Sequence, residues 1–284
     1  MNKVHVALFT CASSRAVHLD LVPDTSCVAF VRCLKRFIAR FGISKLFLSD
    51  NATCFIGPEL TSFVQQTDTE WKFILEASPW WGGFWERMVQ STKRCLRKSL
   101  GKAALNFEEL LTVIMETECI LNSRPLCYIY DELIDDVITP SHLLFGRRLL
   151  TSYLGDVEPE NVDFTPKNIS KRAEHLNSLI KRFWSIWSKE YLIGLREFHN
   201  CKNRIPSKQI SIGEVVLISE DKLPRNRWKM AVVVEVHVGR DNQIRGCKLR
   251  TLTKSKNRII YMNRPVNKLH PLELTSSEGG SVAK

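Results

Sequence analysis

Residues 78–89 read SPWWGGFWERMV, three tryptophans and two glycines crowded around a single acid, Glu86. A Gly-Gly pair makes a turn and ends whatever element precedes it. The residues after it have helical spacing. At about 100° per residue, Lys93 and Arg97 fall about 20° to either side of Glu86. Met88, Val89, Cys95, Leu96 and Leu100 take the opposite side. One helix therefore carries an acid and two bases on a polar stripe and offers an apolar face to a core. Spacing alone is satisfied by an ordinary amphipathic helix with a solvated charged face. Trp80, Trp81 and Trp85 read first as packing for the turn, with stacking on bases as the alternative.

Upstream, VHVALFT (4–10) and RAVHLDLV (15–22) alternate around a Cys-Ala-Ser-Ser turn and predict a hairpin. DTSCVAFVRCLKRFIARFG predicts a helix with Val28, Val31, Leu34, Ile38 and Phe41 on one face, stopped by Gly42. KLFLSD (45–50) is a short strand ending in an acid, and WKFIL (71–75) is another. Helices are expected at 86–100 and 107–121, the second ended by Pro125 in NSRPL. The order hairpin, helix, strand, helix, strand, helix, helix defines an α/β layer with a mixed sheet.

The second half differs. Residues 151–168 hold Gly, Pro, Asn and four acids and read as a linker. A long amphipathic helix covers about 170–200, with Leu176, Leu179, Ile180, Phe183, Trp187 and Leu195 as its buried stripe. GEVVLIS, WKMAVVVEVHV, IRGCKLRTL and NRIIYM then alternate as short strands, the pattern of a small β-barrel. The expected organisation is an α/β core over 1–150, linker and long helix over 151–204, a small basic barrel over 205–273 and a disordered tail over 274–284.

With 44% hydrophobic and 25% charged residues among 284, the chain has the composition of a globular protein of one large and one smaller domain. No apolar run is long enough to cross a bilayer, and no membrane partner is expected. The first ten residues lack the pattern of a secretory signal. Nine cysteines without CxxC spacing argue against a disulfide framework and against a zinc site, and read as reduced thiols of an intracellular protein. The net charge of +11 is uneven. Residues 1–150 hold 17 Lys and Arg against 16 acids, whereas residues 151–284 hold 24 against 14. That excess is the footprint of a polyanion partner. Arg225, Arg227, Trp228, Lys229, Arg240, Arg245, Lys248 and Arg250 surround the C-terminal strands and are the candidate nucleic-acid contacts, with a solvated barrel surface as the plainer alternative. Cys11, Cys27, Cys33 and Cys54 read as small core residues.

Asp50 at a strand end and Glu86 at a helix start are separated by 35 residues. Acids so placed in an α/β sheet converge on the edge where sites are built. Carboxylate oxygens are the ligands that Mg²⁺ takes, and two such ions can clamp the attacking and leaving oxygens of a phosphodiester.

Several stretches occur together and in order: LFTCASSRAVHLDLV, LFLSDNATCFIG, SPWWGGFWERMVQSTKRCL, ILNSRPL, ITPSHLLFG, LPRNRWKMAVVVEVHVGRDNQIRGCKLRT and RPVNKLHPLE. They resemble the integrase core and C-terminal domain of BEL/Pao-type LTR retrotransposons across nearly the whole chain. The resemblance implies an RNase H-like fold. It also implies a D,D,E triad that uses Mg²⁺ or Mn²⁺ to trim DNA 3′ ends and join them to a target strand. Asp50 matches the second acid and Glu86 the third, both as metal ligands, and Lys93 matches a lysine near DNA ends, with Arg97 beside it. Also implied are DNA as partner, a homo-oligomer, and a place in the nucleus or in a cytoplasmic particle before nuclear entry.

One departure matters. In the family the first triad Asp sits on a strand upstream of VHVALFT, central in the sheet between that strand and KLFLSD. No residue of this sequence matches it, nor the family's His/Cys zinc module, so the chain reads as N-terminally truncated and inactive as it stands. Losing that strand should leave open backbone edges on both neighbours. Asp20 is a poor substitute because it belongs to a different strand. The alternative reading is a non-catalytic nucleic-acid-binding protein derived from an integrase.

Overall fold

The computed structural model describes residues 4–67, 69–75, 83–131, 134–147, 149, 171–203, 210–220, 225–241, 243–253 and 258–274. The linker expected at 151–168, the tail beyond 274, and Trp80 and Trp81 lie outside the described residues. The fold is α/β with a β-rich C-terminal sheet. Contacts gather into two compact units, Met1–Glu118 and Cys119–Lys284, dividing the chain before residue 150.

The first unit opens with the expected hairpin, β1 (His5–Thr10) and β2 (Val17–Val22), antiparallel from His5↔Val22 to Thr10↔Val17. Helix α1 (Cys27–Phe41) starts where the Ser26 hydroxyl accepts the Ala29 N–H at 3.2 Å. It stops at Gly42, whose φ of +84° only glycine takes without strain. Most of the expected face packs inward: Leu34 is buried, and Val31 and Ile38 pack beside it. Ala29, Phe30 and Cys33 are buried as well, while Val28 at the edge of the face is 41% exposed. The large ring of Phe30 thus joins the core face. Burial pushes the Cys33 thiol up to about 12, so it serves as a small apolar core residue.

Strands β3 (Leu46–Ser49) and β4 (Glu70–Phe73) pair in parallel, with helix α2 (Pro58–Gln65) on the crossover between them. Phe9 of β1, Phe47 of β3 and Trp71 of β4 all pack on the cluster of Phe30, Leu34 and Leu60. The two ladders thus share one helix, yet remain separate two-stranded sheets among the described residues. Helices α3 (Gly83–Leu100) and α4 (Phe107–Asn122) follow. Glu118 of α4 reaches β2, where its Oε2 accepts the Leu19 N–H at 2.8 Å and lies 2.8 Å from His18 Nδ1.

In the second unit, β5 (Cys127–Asp131) and β6 (Ile134–Ile138) form a hairpin. Helix α5 (Pro140–Phe145) follows, capped by Thr139. None of these three was anticipated, because acids interrupt the apolar alternation of CYIYDELIDDVI. Helix α6 (Lys171–Asn203), about 50 Å long at 1.5 Å per residue, precedes β7 (Val215–Ile218), β8 (Lys229–Val238), β9 (Ile244–Thr253), β10 (Arg258–Pro265) and β11 (Leu269–Pro271). These strands form one antiparallel sheet ordered β10-β9-β8-β7-β11, with bulges between β8 and β9. Val216, Ile218, Ala231, Val233, Cys247, Leu249 and Leu269 share one core, and Met262 packs on it.

Helix α6 buries Leu179, Ile180, Phe183, Trp187 and Leu195 as expected, together with Trp184 and Leu192. It is tied to the sheet by polar contacts. Arg196 donates to the Val266 and Leu269 carbonyls, both at 3.1 Å. His270 Nδ1 donates to the Leu192 carbonyl at 2.8 Å, which fixes its tautomer because a carbonyl only accepts.

NSRPL is the most deeply set loop. Arg124 is 1% exposed and pairs with Glu273 Oε2 at 3.2 Å, with a second bond to the Leu121 carbonyl at 2.8 Å. Tyr191 of α6 donates to the Pro125 carbonyl at 3.0 Å, with its hydroxyl 3.3 Å from Glu273 Oε2. Leu274 N–H donates to the Leu126 carbonyl at 2.8 Å. Arg124 is thus a structural residue. Breaking a buried pair from one side leaves the other charge uncompensated, at a cost of about 3–5 kcal/mol. Glu273→Ala should destabilise the chain by about 3 kcal/mol in urea unfolding followed by circular dichroism; a loss under about 0.5 kcal/mol would make the pair incidental.

His270 supplies a pH dependence. Burial, with the nearby Arg196 and Lys268 charges adding to it, lowers its pKa from 6.5 to about 4. The folded state therefore holds the ring neutral while the unfolded chain protonates it below 6.5. Stability is full above 6.5 and falls as pH drops from 6.5 towards about 4, by about 3 kcal/mol at most. His270→Asn, which keeps a donor for Leu192, should flatten this acid limb in melting curves taken across that window.

Candidate functional site

Asp50 is exposed directly after β3. The end of that strand is held from several sides. Ser49 accepts the Trp71 indole N–H at 3.0 Å and donates to the Asp50 carbonyl at 2.9 Å. Ile74 N–H donates to the Ser49 carbonyl at 3.0 Å, and the Asn51 amide donates to the Ile74 carbonyl at 3.1 Å. One carboxylate oxygen of Asp50 accepts the Ala52 N–H at 3.2 Å. The backbone carrying Asp50 is thereby pinned to β4 while its side chain faces solvent. Burial raises the pKa of the neighbouring Cys54, and the charge of Asp50 adds to the effect.

Glu86 is exposed in the first turn of α3, where the helix dipole favours an acid. Lys93 and Arg97 are exposed on the stripe that helical geometry gives them. The opposite side buries Thr92, Cys95, Leu96 and Ser99. Val89 departs from the expected core face, being 37% exposed. The side chain of Trp85 lies outside the described residues.

Asp20 is engaged elsewhere. Arg36 Nε donates to its Oδ2 at 2.7 Å, and its Oδ1 accepts the Leu21 N–H at 2.8 Å. Among the described residues, no three His, Cys, Asp or Glu side chains gather as a metal-holding group. Asp50 and Glu86 offer the oxygen donors that a hard cation takes.

In the second unit, the expected basic residues divide. Trp228 is corrected from a nucleic-acid contact to a core residue. It is 8% exposed, edge-on to Trp184 at 5.1 Å and to Tyr191 at 5.5 Å between ring centroids. Its large apolar surface is worth more against α6 than against solvent. Lys229 is spoken for by Glu220 at 2.6 Å, and Arg245 by Asp241, whose carboxyl it holds below the usual range. Arg225 is half-buried; Arg227 and Arg240 are exposed. Lys248 and Arg250 are half-buried on β9, Lys248 lying 3.8 Å from Glu235. The sequence reading passed over Tyr261, which is 56% exposed on β10 with Lys248 Nζ 5.9 Å from its ring centre. Its signal was an aromatic at an outward position of the alternating NRIIYM strand.

Residues 171–272 match a family described as a family of unknown function (DUF5641). The match begins with the first residue of α6 and ends just past β11. No curated protein sequence matches the chain. Among solved structures, the chain is similar to a chain of the simian T-cell lymphotropic virus intasome in complex with PP2A regulatory subunit B56 gamma, at 12% identity and TM-score 0.39, over 95% of this chain and 77% of that one. It is also similar to the catalytic core domain of BIV integrase, at 14% identity and TM-score 0.37, over 50% of this chain and 93% of that one. A third likeness is to the HTLV-2 integrase catalytic core domain in complex with magnesium (trimeric form), at 16% identity and TM-score 0.35, again over 50% and 93%. No helix among the described residues is long and apolar enough to cross a membrane.

Proposed function

We propose that this chain derives from a BEL/Pao-type retrotransposon integrase and that its working activity is DNA binding by the basic C-terminal unit. One observation carries the integrase reading. β1 and β3 lean on the same helix yet, among the described residues, share no ladder and each keep one edge unpaired. The family's first strand, with its first triad Asp, belongs between those two strands. Asp50 and Glu86 then stand as the second and third acids, with Lys93 and Arg97 beside Glu86 towards phosphate. Mg²⁺ or Mn²⁺, a homo-oligomer and a nuclear site of action follow from the same reading.

Asp50 and Glu86 are two acids of a three-acid set, so residues 1–284 by themselves should bind DNA without joining it. Incubated with Mg²⁺ or Mn²⁺ and duplex DNA, it should yield no strand-transfer product on a gel. Robust product that disappears in Asp50→Asn would overturn this reading of the core.

Binding itself rests on the 24 Lys and Arg against 14 acids in residues 151–284. Phosphate contacts release counterions, so affinity for duplex DNA should fall steeply and linearly on a log–log salt plot. Arg227→Ala should reduce that slope by about one. Affinity indifferent to salt would remove the phosphate-contact mechanism.

A further inference from the structure

Beyond DNA binding in general, and resting on that reading, we propose that the outer face of β8–β10 is a stacking platform for an unpaired nucleic-acid strand, with Tyr261 receiving a base. On these strands Ala231, Val233, Cys247, Leu249 and Met262 point to the core. Strand alternation therefore sends Val232, Arg250 and Tyr261 to the other face. The register aligns those three as one row across the strands, since Val232 pairs with Arg250 and Arg250 with Tyr261. The neighbouring row holds Glu235, Lys248 and Asn263.

This face is apolar where it is expected to be polar. Tyr261 is 56% exposed, Ile259 52% and Val234 38%. A shallow groove of about 390 Å³ runs along it, lined by Ile212, Val232, Val234, Arg250 and Tyr261. Exposed apolar side chains gathered around a groove and interleaved with cations mark an interaction surface.

Charge selects the occupant. Residues 229–265 carry nine Lys and Arg against two acids, Glu235 and Asp241. Asp241 is paired with Arg245, and Glu235 lies at the rim, 3.8 Å from Lys248. The cations closest to the ring are Lys248, with Nζ 5.9 Å from its centre, and Arg250 on the adjacent strand. An exposed ring flanked by two cations fits a base with its phosphates on either side, and fits an apolar peptide poorly. A duplex hides its base faces inside the stack, whereas an unpaired strand offers them. Sheets that stack bases on outward aromatics use the same arrangement.

The test is fluorescence anisotropy of the full chain against a labelled oligothymidylate and a labelled duplex of equal length, at one salt concentration. Tyr261→Thr keeps a strand-forming residue and should weaken single-strand binding by roughly 5- to 100-fold, with duplex binding changed less than about twofold. Tyr261→Phe and Tyr261→Trp should restore it. Equal losses on both probes, or no loss on either, would overturn the platform. So would concentration-dependent self-association in sedimentation that Tyr261→Thr abolishes while single-strand binding stays intact. Salt-sensitive duplex binding with an indifferent Tyr261 defeats this inference alone; no binding to either probe defeats the proposed function as well.

Discussion

A guanidinium cannot be neutralised by giving up its proton, so a buried arginine must be met by a partner or the fold around it fails. Arg124 imposes that condition on the second unit. It sits at the end of α4 and finds its carboxylate 149 positions later, at Glu273 just after the last strand. Tyr191 on α6 bonds at the same place, and Leu274 closes on Leu126. The end of one helix, the middle of another and the end of the sheet are thereby fixed to one another through a single polar knot. A salt bridge of this kind adds little net stability compared with an apolar replacement. What it adds is a directional tie, because the guanidinium, the carboxylate and the Tyr191 hydroxyl meet only when these three segments are in place.

Around that knot the tryptophans divide labour with the cations. Trp184, Trp187 and Tyr191 fall on one side of α6 and close around Trp228 from the sheet. The four rings weld helix and strands into one body, and the family match at 171–272 spans that body from the first residue of α6 to just past the last strand. With the indoles committed inward, the remaining outward aromatic on the β8–β10 face is Tyr261, set among lysine and arginine. The same chemistry, a large flat ring, is structural at one position and exposed at another, and only the direction in which the strand presents it separates the two.

That direction also explains what the sequence could and could not disclose. Hairpin, helices and the α6 stripe were legible because their periodicities are long and their buried residues are large. The edge of the α1 face was not legible, because only the packed neighbours Phe9, Phe47 and Trp71 turn Phe30 inward while Val28 is left to solvent. Trp228 was misassigned for a related reason. Set between Arg227 and Lys229, it reads as part of a basic patch, yet adjacent strand residues point to opposite faces. Arg124 and His270 could be recognised as buried only once their partners, distant in sequence, were in place. Asp50 at a strand end and Glu86 at a helix start were legible in position. The competition for Asp20 by Arg36, sixteen residues on, was not.

The division of charge between the two halves bears on how such a pair of acids can coexist with a polyanion. A cation site needs negative potential, and a DNA contact needs positive potential. Within α3 an acid and two bases lie on one stripe, with Glu86 in the first turn and Lys93 and Arg97 further along, each exposed and screened by solvent within about 10 Å. Had the excess of ten positive charges in residues 151–284 been spread over the first half instead, it would have weakened any hold of Asp50 and Glu86 on a divalent ion. On the proposed reading, near-neutrality in the first 150 residues would leave those acids usable as ligands, and the basic second half would attract nucleic acid without that cost. The positive excess of residues 151–284 and the exposed ring of Tyr261 stand independently of those two acids.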